Sequence, residues 1–207
     1  VLLLLTVLAL APSILIMMTS FTRIIIVLSF LRNALGTQQM PPNQVMIGLA
    51  LFLSLFVMSP TIDQIYTEAY KPMKNEQITT EEALDRSTVI IKSFMLKQFG
   101  DDEKDLKFFT GLAKVEIPEN GIKPEDLPMR VVLPAFLLHE LTVAFKMGFL
   151  IFIPFLIIDM VVSSTLMSMG IIMLSPAMIS LPFKILLFIL VDGWQLLCGA
   201  LVKGFNL

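Results

Sequence analysis

The feature that most constrains this chain is an almost uncharged stretch, residues 147–202, that nevertheless contains ionisable side chains. They are Asp159, Lys184 and Asp192. An ionised side chain in hydrocarbon costs about 2.5–3.5 kcal/mol on insertion scales, so such groups usually have partners and face a protein interior or water. Asp159 lies in one apolar segment and Lys184 in the next. The sequence therefore predicts two apolar helices that pack together around a buried ion pair.

The charged residues are unevenly distributed. Of the 15 basic and 17 acidic residues, 24 lie between Asp63 and Arg130. The chain is 56% hydrophobic and 15% charged, whereas soluble proteins average roughly 45–50% and 25%. The composition predicts a membrane protein with apolar blocks at 1–60 and 131–207 and a polar insert at 61–130. The insert is mildly acidic and offers no basic face for nucleic acid.

The first apolar block predicts a helical hairpin. Residues 1–31 exceed the ~20 residues that cross a bilayer, and Pro12 favours a main helix that starts at Ser13. The start also resembles the apolar core of a signal peptide, but it lacks a basic region before it. A turn at 32–43 should lead to a second helix that stops before Pro60. Arg32 in that turn favours the cytoplasm for the hairpin tip, which places the insert outside the cytoplasm.

The second apolar block predicts another hairpin, so the fold class is all-α with broken helical hairpins and a small helical insert. A segment at 131–169 is interrupted by Pro134 and Pro154. A loop at 170–180 and a helix at 181–202 should follow. The loop is apolar between Gly170 and Pro176, although loops between membrane spans are normally polar. Such a loop should be buried, for example against copies of itself around an axis.

The insert shows ordinary helix signals. Thr79 and Glu82 form a capping-box pattern that opens an amphipathic helix to Phe99, and Gly100 should end it. A shorter helix is predicted at 101–114. The insert has few large apolar residues, so its core should depend on neighbouring copies or on the helices that bracket it.

Patterns typical of an active site are absent from the sequence. The pair His139-Glu140 lacks the second His of a zinc protease motif, because Val143 occupies that position. The acidic cluster at 101–105 lacks the glycine and glutamate of a calcium loop. No cofactor or metal site is predicted, the single Cys198 cannot form an internal disulfide, and the chain is not expected to be an enzyme.

The charges in the apolar blocks have three interpretations. Asp159 and Lys184 could form a structural ion pair between two helices or two subunits, take part in a proton or ion relay, or face water without a partner. Lys184 and Asp192 are eight residues apart, which places them near the same face of one helix. A wider polar network could include four further residues: Arg23, Glu140, Lys146 and Asp192.

Several long strings resemble the FliP family of type III export-gate subunits. In the second half they are Pro134–Phe136, His139–Leu141, Ala144–Phe149, Ile151–Leu156 and Pro182–Trp194. In the first half they are Met17–Arg23, Leu31–Gly36 and Pro41–Gln44. The resemblance covers nearly the whole chain.

The resemblance implies a structural subunit of the bacterial flagellar export gate, made with a cleavable signal peptide. About five copies would assemble helically with FliQ and FliR, and FlhB would join them. Unfolded flagellar subunits would pass through the central pore, at the inner membrane in the flagellar basal body. The loop Ile171-Ile172-Met173 matches the family's methionine-rich constriction with one methionine remaining. Asp159 and Lys184 match a charged pair that supports assembly.

The main alternative function is a small-solute or ion transporter that uses Asp159, Lys184 and Asp192 as coupling groups. Transporters often contain inverted repeats, and we find none in the sequence. A membrane sensor is a weaker alternative, because no signalling domain follows. If the ion pair supports assembly, exchanging Asp159 and Lys184 should restore assembly better than either single change.

Overall fold

A computed structural model of the chain describes residues 13–14, 16–115, 124–171 and 174–206. The regular structure of these residues is entirely helical, which confirms the predicted all-α class. The predictions for residues 1–12 lie outside the described residues. The helices are α1 (Phe21–Leu35), α2 (Asn43–Ile65), α3 (Lys71–Lys74), α4 (Thr80–Phe99), α5 (Lys104–Ala113), α6 (Met129–Ser168), α7 (Pro176–Leu190) and α8 (Gly193–Lys203).

The first hairpin differs from the prediction at two places. A turn at 18–20 precedes α1, so the helix does not run unbroken from Ser13. Helix α2 does not stop before Pro60 but continues to Ile65, and a π-helical turn, Tyr66–Tyr70, joins it to α3. Proline is tolerated inside apolar helices, because breaking the helix would leave more backbone groups without partners than the one hydrogen bond that proline removes.

The same reasoning explains the long helix α6. Its 40 residues contain Pro134 and Pro154 and are not interrupted at either. The helix ends in a Schellman motif, in which the N–H of Ile171 donates to the carbonyl of Leu166 and that of Gly170 to Met167. Gly170 has a φ of 71°, which favours glycine.

The C-terminal segment starts earlier than predicted and is broken. Helix α7 begins at Pro176, at a first-turn position where the missing N–H of proline costs nothing. It stops at Leu190, and Asp192 has a left-handed φ of 50° before α8 begins. The two helices are bent by 64° at this break. The predicted single helix at 181–202 is therefore wrong.

The insert follows its local signals. The Thr79 hydroxyl accepts from the N–H of Glu82 at 3.2 Å, and the Glu82 carboxylate accepts from the N–H of Thr79 at 2.9 Å. These bonds confirm the capping box. Gly100 ends α4 with a φ of 52°, as predicted.

Two compact units make up the chain. The first comprises Ser54–Leu141 together with the residues before Arg23 and after Gly204, and the second comprises Arg23–Leu53 and Thr142–Gly204. Helices α2 and α6 contribute residues to both. The three-part division at 60 and 130, which rests on polarity, stays a prediction.

Helices long and apolar enough to cross a membrane occur twice among the described residues. They are α2 with its extension to Lys74, and α6. The bent pair α7–α8 would make a third if it acts as one span.

Candidate functional site

The second unit contains the ion pair that the sequence predicted between two apolar segments. The Nζ of Lys184 in α7 lies 2.6 Å from Oδ2 of Asp159 in α6. The lysine side chain is 7% exposed and the aspartate side chain 36% exposed. The cation is therefore enclosed within its own chain, while the carboxylate keeps one side open.

The same lysine also binds the end of α1. Its Nζ donates to the backbone carbonyl of Ala34 at 3.0 Å. The last four carbonyls of a helix have no partner within the helix, and the helix dipole makes this end partly negative. Lys184 therefore satisfies a helix end and an acid at once, and it joins α1, α6 and α7 at a single positive charge.

Ser180 completes the group around Asp159. Its hydroxyl donates to Oδ1 of Asp159 at 2.6 Å and lies 3.2 Å from the carbonyl of Ala177. Ser180 is fully buried. Both carboxylate oxygens of Asp159 thus have a partner, which fixes the orientation of the carboxylate toward Lys184.

A second buried cation caps another helix of this unit. Arg23 in α1 is 2% exposed, and its Nη1 donates to the carbonyl of Gly204, directly after α8. This arrangement repeats the one at Lys184, because a cation again meets the negative end of an apolar helix. Lys184 and Arg23 therefore each donate a hydrogen bond to a backbone carbonyl at or next to the end of a helix in the same chain.

Helices α1 and α6 approach each other closely at Gly148. A Cβ atom added to Gly148 would lie 2.4 Å from Cγ of Phe30, and the Phe30 ring packs edge-to-face on Phe145 at 5.1 Å between centroids. At the α7–α8 break, a Cβ on Gly193 would lie 2.3 Å from the ring of Phe188. Glycine is needed at both positions because an aromatic ring lies where a side chain would be, and not because of the backbone torsion angles.

The other candidates for the polar network occupy different surroundings. Glu140 is fully buried in α6, whereas Lys146 is exposed on the same helix. Asp192 is exposed at the break after α7. Because Asp192 is not in the helix of Lys184, the argument that both share one helix face does not apply. A joint network of these residues stays a prediction.

The predicted constriction is described only in part. Ile171 is half-buried directly after the end of α6. Ile172 and Met173 lie outside the described residues. Several methionines that flank the loop are strongly exposed: Met160, Met167, Met169 and Met178.

His139 and the acidic cluster have structural surroundings in the first unit. Nδ1 of His139 lies 3.5 Å from Oδ2 of Asp105, and its ring lies 5.0 Å from that of Phe99. Glu103 pairs with Lys107 at 3.1 Å on an exposed helix start. Among the described residues, no group of three or more His, Cys, Asp or Glu side chains could hold a metal ion.

Comparison with known proteins decides the family. The sequence profile of the FliP family matches residues 4–201. The flagellar biosynthetic protein FliP of Pectobacterium carotovorum subsp. carotovorum is 58% identical over 205 residues, which cover 99% of this chain and 77% of that protein. FliP of Bacillus subtilis is 56% identical over 204 residues, covering 99% and 90%. FliP of Aquifex aeolicus is 53% identical over 203 residues, covering 98% and 83%.

The chain belongs to the FliP family. The resemblance seen in the sequence strings is thereby confirmed, and the chain is a component of the flagellar export apparatus. FliP is a structural family of that apparatus and not a known enzyme family. Its apolar helices agree with a location at the membrane.

FliP-family membership gives a context for the exposed apolar surface. In the most apolar 18-residue stretch of α6, only 17% of the stretch is buried by the rest of the chain. Large residues such as Phe145, Phe149 and Leu150 are more than half exposed on this helix. Monomeric soluble proteins rarely expose such continuous apolar surface, so lipid or other protein must cover it.

Sequence reasoning missed the partners that surround the ion pair of Asp159 and Lys184. Ser180 lies four residues before Lys184 in one helix, so helical spacing placed it on the same face as the lysine. The carbonyl of Ala34 has no signature in the sequence, since every residue carries one. The contact of Phe30 with Gly148 joins distant segments and was likewise not visible.

Proposed function

We propose that this chain is a pore-forming structural subunit of the flagellar type III export gate. About five copies would assemble helically with FliQ and FliR, joined by FlhB, in the inner membrane at the flagellar basal body. Unfolded flagellar subunits would pass through the pore. The insert, 61–130, would lie on the periplasmic side. The family supports this role, and the physical argument for assembly comes from the helices themselves.

The main support for the proposal is that the second unit is well connected internally but leaves much apolar surface exposed. Three of its helices, α1, α6 and α7, are joined by the Lys184 group, yet α6 leaves most of its apolar surface uncovered. A rigid unit with a large uncovered apolar face is suited to heterologous contacts between copies. When such contacts do not close into a ring, they produce a helical series that a different protein must end.

The enclosed lysine also weighs against the transporter alternative. A coupling group must exchange its partner with a transported ion, and such groups usually face a water-filled cavity. Lys184 is 7% exposed and is bonded to both Asp159 and Ala34. We therefore assign the pair a structural role within the subunit.

The composition of the purified assembly tests the proposal. The chain would be co-expressed with FliQ, FliR and FlhB, extracted in mild detergent and weighed intact by native mass spectrometry. We expect several copies of this chain bound to at least FliQ and FliR. A chain that remains monomeric in their presence would contradict the proposal.

The loop after α6 provides a test of the pore. Replacing Ile171, Ile172 and Met173 together by glycine should make cells more permeable to small ions, because the apolar side chains that exclude water are lost. The assembly should keep its subunit composition. The measurement is ion leak across the membrane of intact cells expressing the variant.

The matched control for this variant is a triple glycine replacement at 37–39, in the loop between α1 and α2. It changes the same number of loop residues and is expected to leave the leak at the wild-type level. If both variants leak equally, or if neither leaks, the loop at 171–173 does not form the seal.

A further inference from the structure

The first unit contains a contact in which one side chain binds the backbone of a distant residue. Nε2 of Gln98, near the end of α4, donates to the carbonyl of Asn206 at 2.9 Å. The N–H of Asn206 donates to Oε1 of the same Gln98 at 3.1 Å. The side-chain amide thus binds both main-chain groups of one residue, in the manner of a neighbouring β-strand.

The orientation of the Gln98 amide is itself fixed. Nε2 also donates to the carbonyl of Phe94 at 3.0 Å, and Gln98 is 5% exposed. A buried amide with its donors and acceptor directed in this way is costly to leave without partners. The end of α4 therefore presents a prearranged donor and acceptor to the main chain of Asn206.

The side chain of Asn206 adds a third bond to this contact. Its Nδ2 donates to the carbonyl of Lys97 at 2.9 Å, which lies in the last turn of α4. Terminal helix carbonyls lack partners within the helix. The N–H of Gly100 also donates to the carbonyl of Lys97, at 3.3 Å. The Asn206 side chain therefore adds a second donor to a helix carbonyl that Gly100 already caps.

The residue before Asn206 supplies an apolar anchor. Phe205 is 5% exposed, although it lies outside the helices in a short segment after α8. Main-chain hydrogen bonds combined with burial of a side chain are one means by which proteins bind peptide segments.

We propose that the end of α4 is a binding site for the main chain of a short segment outside the helices, and that Phe205 and Asn206 of the same chain occupy it. The site binds the main chain through Gln98 and the side chain of Asn206 through the Lys97 carbonyl. Its occupant is separated from Gln98 by 108 residues in sequence. The site is therefore filled by a segment that is distant in sequence and follows α8.

Hydrogen exchange of the full chain in detergent tests this proposal. Gln98→Met keeps the length of the side chain but removes both groups that bind Asn206. The segment 204–206 should then exchange its amide hydrogens about tenfold faster, because hydrogen bonds that protect it are lost.

The matched control is Gln195→Met, which makes the same replacement at an exposed position in α8. It should leave the exchange of 204–206 unchanged. Asn206→Ala removes only the bond to Lys97 and should raise the exchange of the segment by a smaller factor. Asn206→Pro removes the N–H that binds Gln98, so it tests the same contact from the opposite side if Gln98→Met does not fold.

Wild-type exchange of 204–206 in Gln98→Met, together with wild-type exchange of Gly204 and Phe205 in Asn206→Pro, which has no amide hydrogen at 206, would overturn the proposal. This outcome is independent of the export-gate role, because it is measured on the isolated chain. A failure of the chain to assemble with FliQ and FliR would conversely leave the peptide site intact.

Discussion

Replacing Lys184 by Met is expected to lower the free energy of unfolding by about 3–5 kcal/mol, the usual cost of removing one partner of a buried ion pair. The variant leaves Asp159 beside an apolar side chain, and it leaves the carbonyl of Ala34 at the end of α1 without its donor. The unfolding midpoint of the detergent-solubilised protein measures the effect. Assembly with FliQ and FliR should decrease in parallel, because α1, α6 and α7 lose their common contact.

The matched control is Lys146→Met, which removes a lysine of the same unit whose side chain is exposed on α6. It should change the midpoint little. Asp159→Asn should cost less than Lys184→Met, since Asp159 is 36% exposed and an amide oxygen still accepts from Ser180. Equal midpoints for Lys184→Met and Lys146→Met would show that the buried pair does not stabilise the unit.

Exchanging the two charges tests whether Asp159 and Lys184 act as an isolated ion pair or whether the bond from Lys184 to α1 is also needed. An isolated pair predicts that Asp159→Lys with Lys184→Asp regains stability. In the structure, an aspartate at 184 would face the carbonyl of Ala34 at the negative end of α1. We therefore expect the double variant to be no more stable than Lys184→Met, although the sequence alone predicts that it assembles better than either single exchange. A recovery to the wild-type midpoint would contradict this.

Gly148→Ala is expected to destabilise the second unit by roughly 1–3 kcal/mol, the usual cost of an overpacked core. The new methyl group would lie 2.4 Å from Cγ and 3.0 Å from Cβ of Phe30, and these atoms are close to the backbone and cannot easily move aside. Helices α1 and α6 would have to separate. The unfolding midpoint and the yield of folded protein in detergent measure the effect.

The control for this prediction is Gly199→Ala in α8. No atom lies within 4 Å of the Cβ position there, so the change should be neutral or should stabilise the helix by up to about 1 kcal/mol. Combining Gly148→Ala with Phe30→Ala should recover part of the loss, because the clashing ring is removed. If the double variant is less stable than both single variants, the ring is not the obstacle.

Local signals allowed much of the fold to be predicted. The capping box at Thr79 and the glycine after Phe99 fixed the ends of α4, because both act through hydrogen bonds within a few residues. The pairing of Asp159 with Lys184 was also accessible, since a charge in an apolar helix demands a partner. These features depend only on residue type and spacing.

Features that depend on competition between local and distant interactions could not be predicted. Proline ends helices in water, but Pro60, Pro134 and Pro154 lie inside helices here because the apolar surroundings disfavour free backbone groups. Directly after the break, Gly193 lies against the ring of Phe188, and the partner of Lys184 in α1 is a backbone carbonyl. Neither has a signature in a single sequence.

The break at Asp192 has a consequence for the surrounding lipid. At 1.5 Å per residue, the 15 residues of α7 extend about 22 Å and the 11 residues of α8 about 16 Å, so neither alone matches a hydrocarbon layer of roughly 30 Å. The carbonyls released at the bend need polar contacts, and the concave surface beside it is lined by Asp192, Gln195 and Lys203. Wherever this bend meets the membrane, the bilayer must thin or admit water, or a neighbouring subunit must supply the donors.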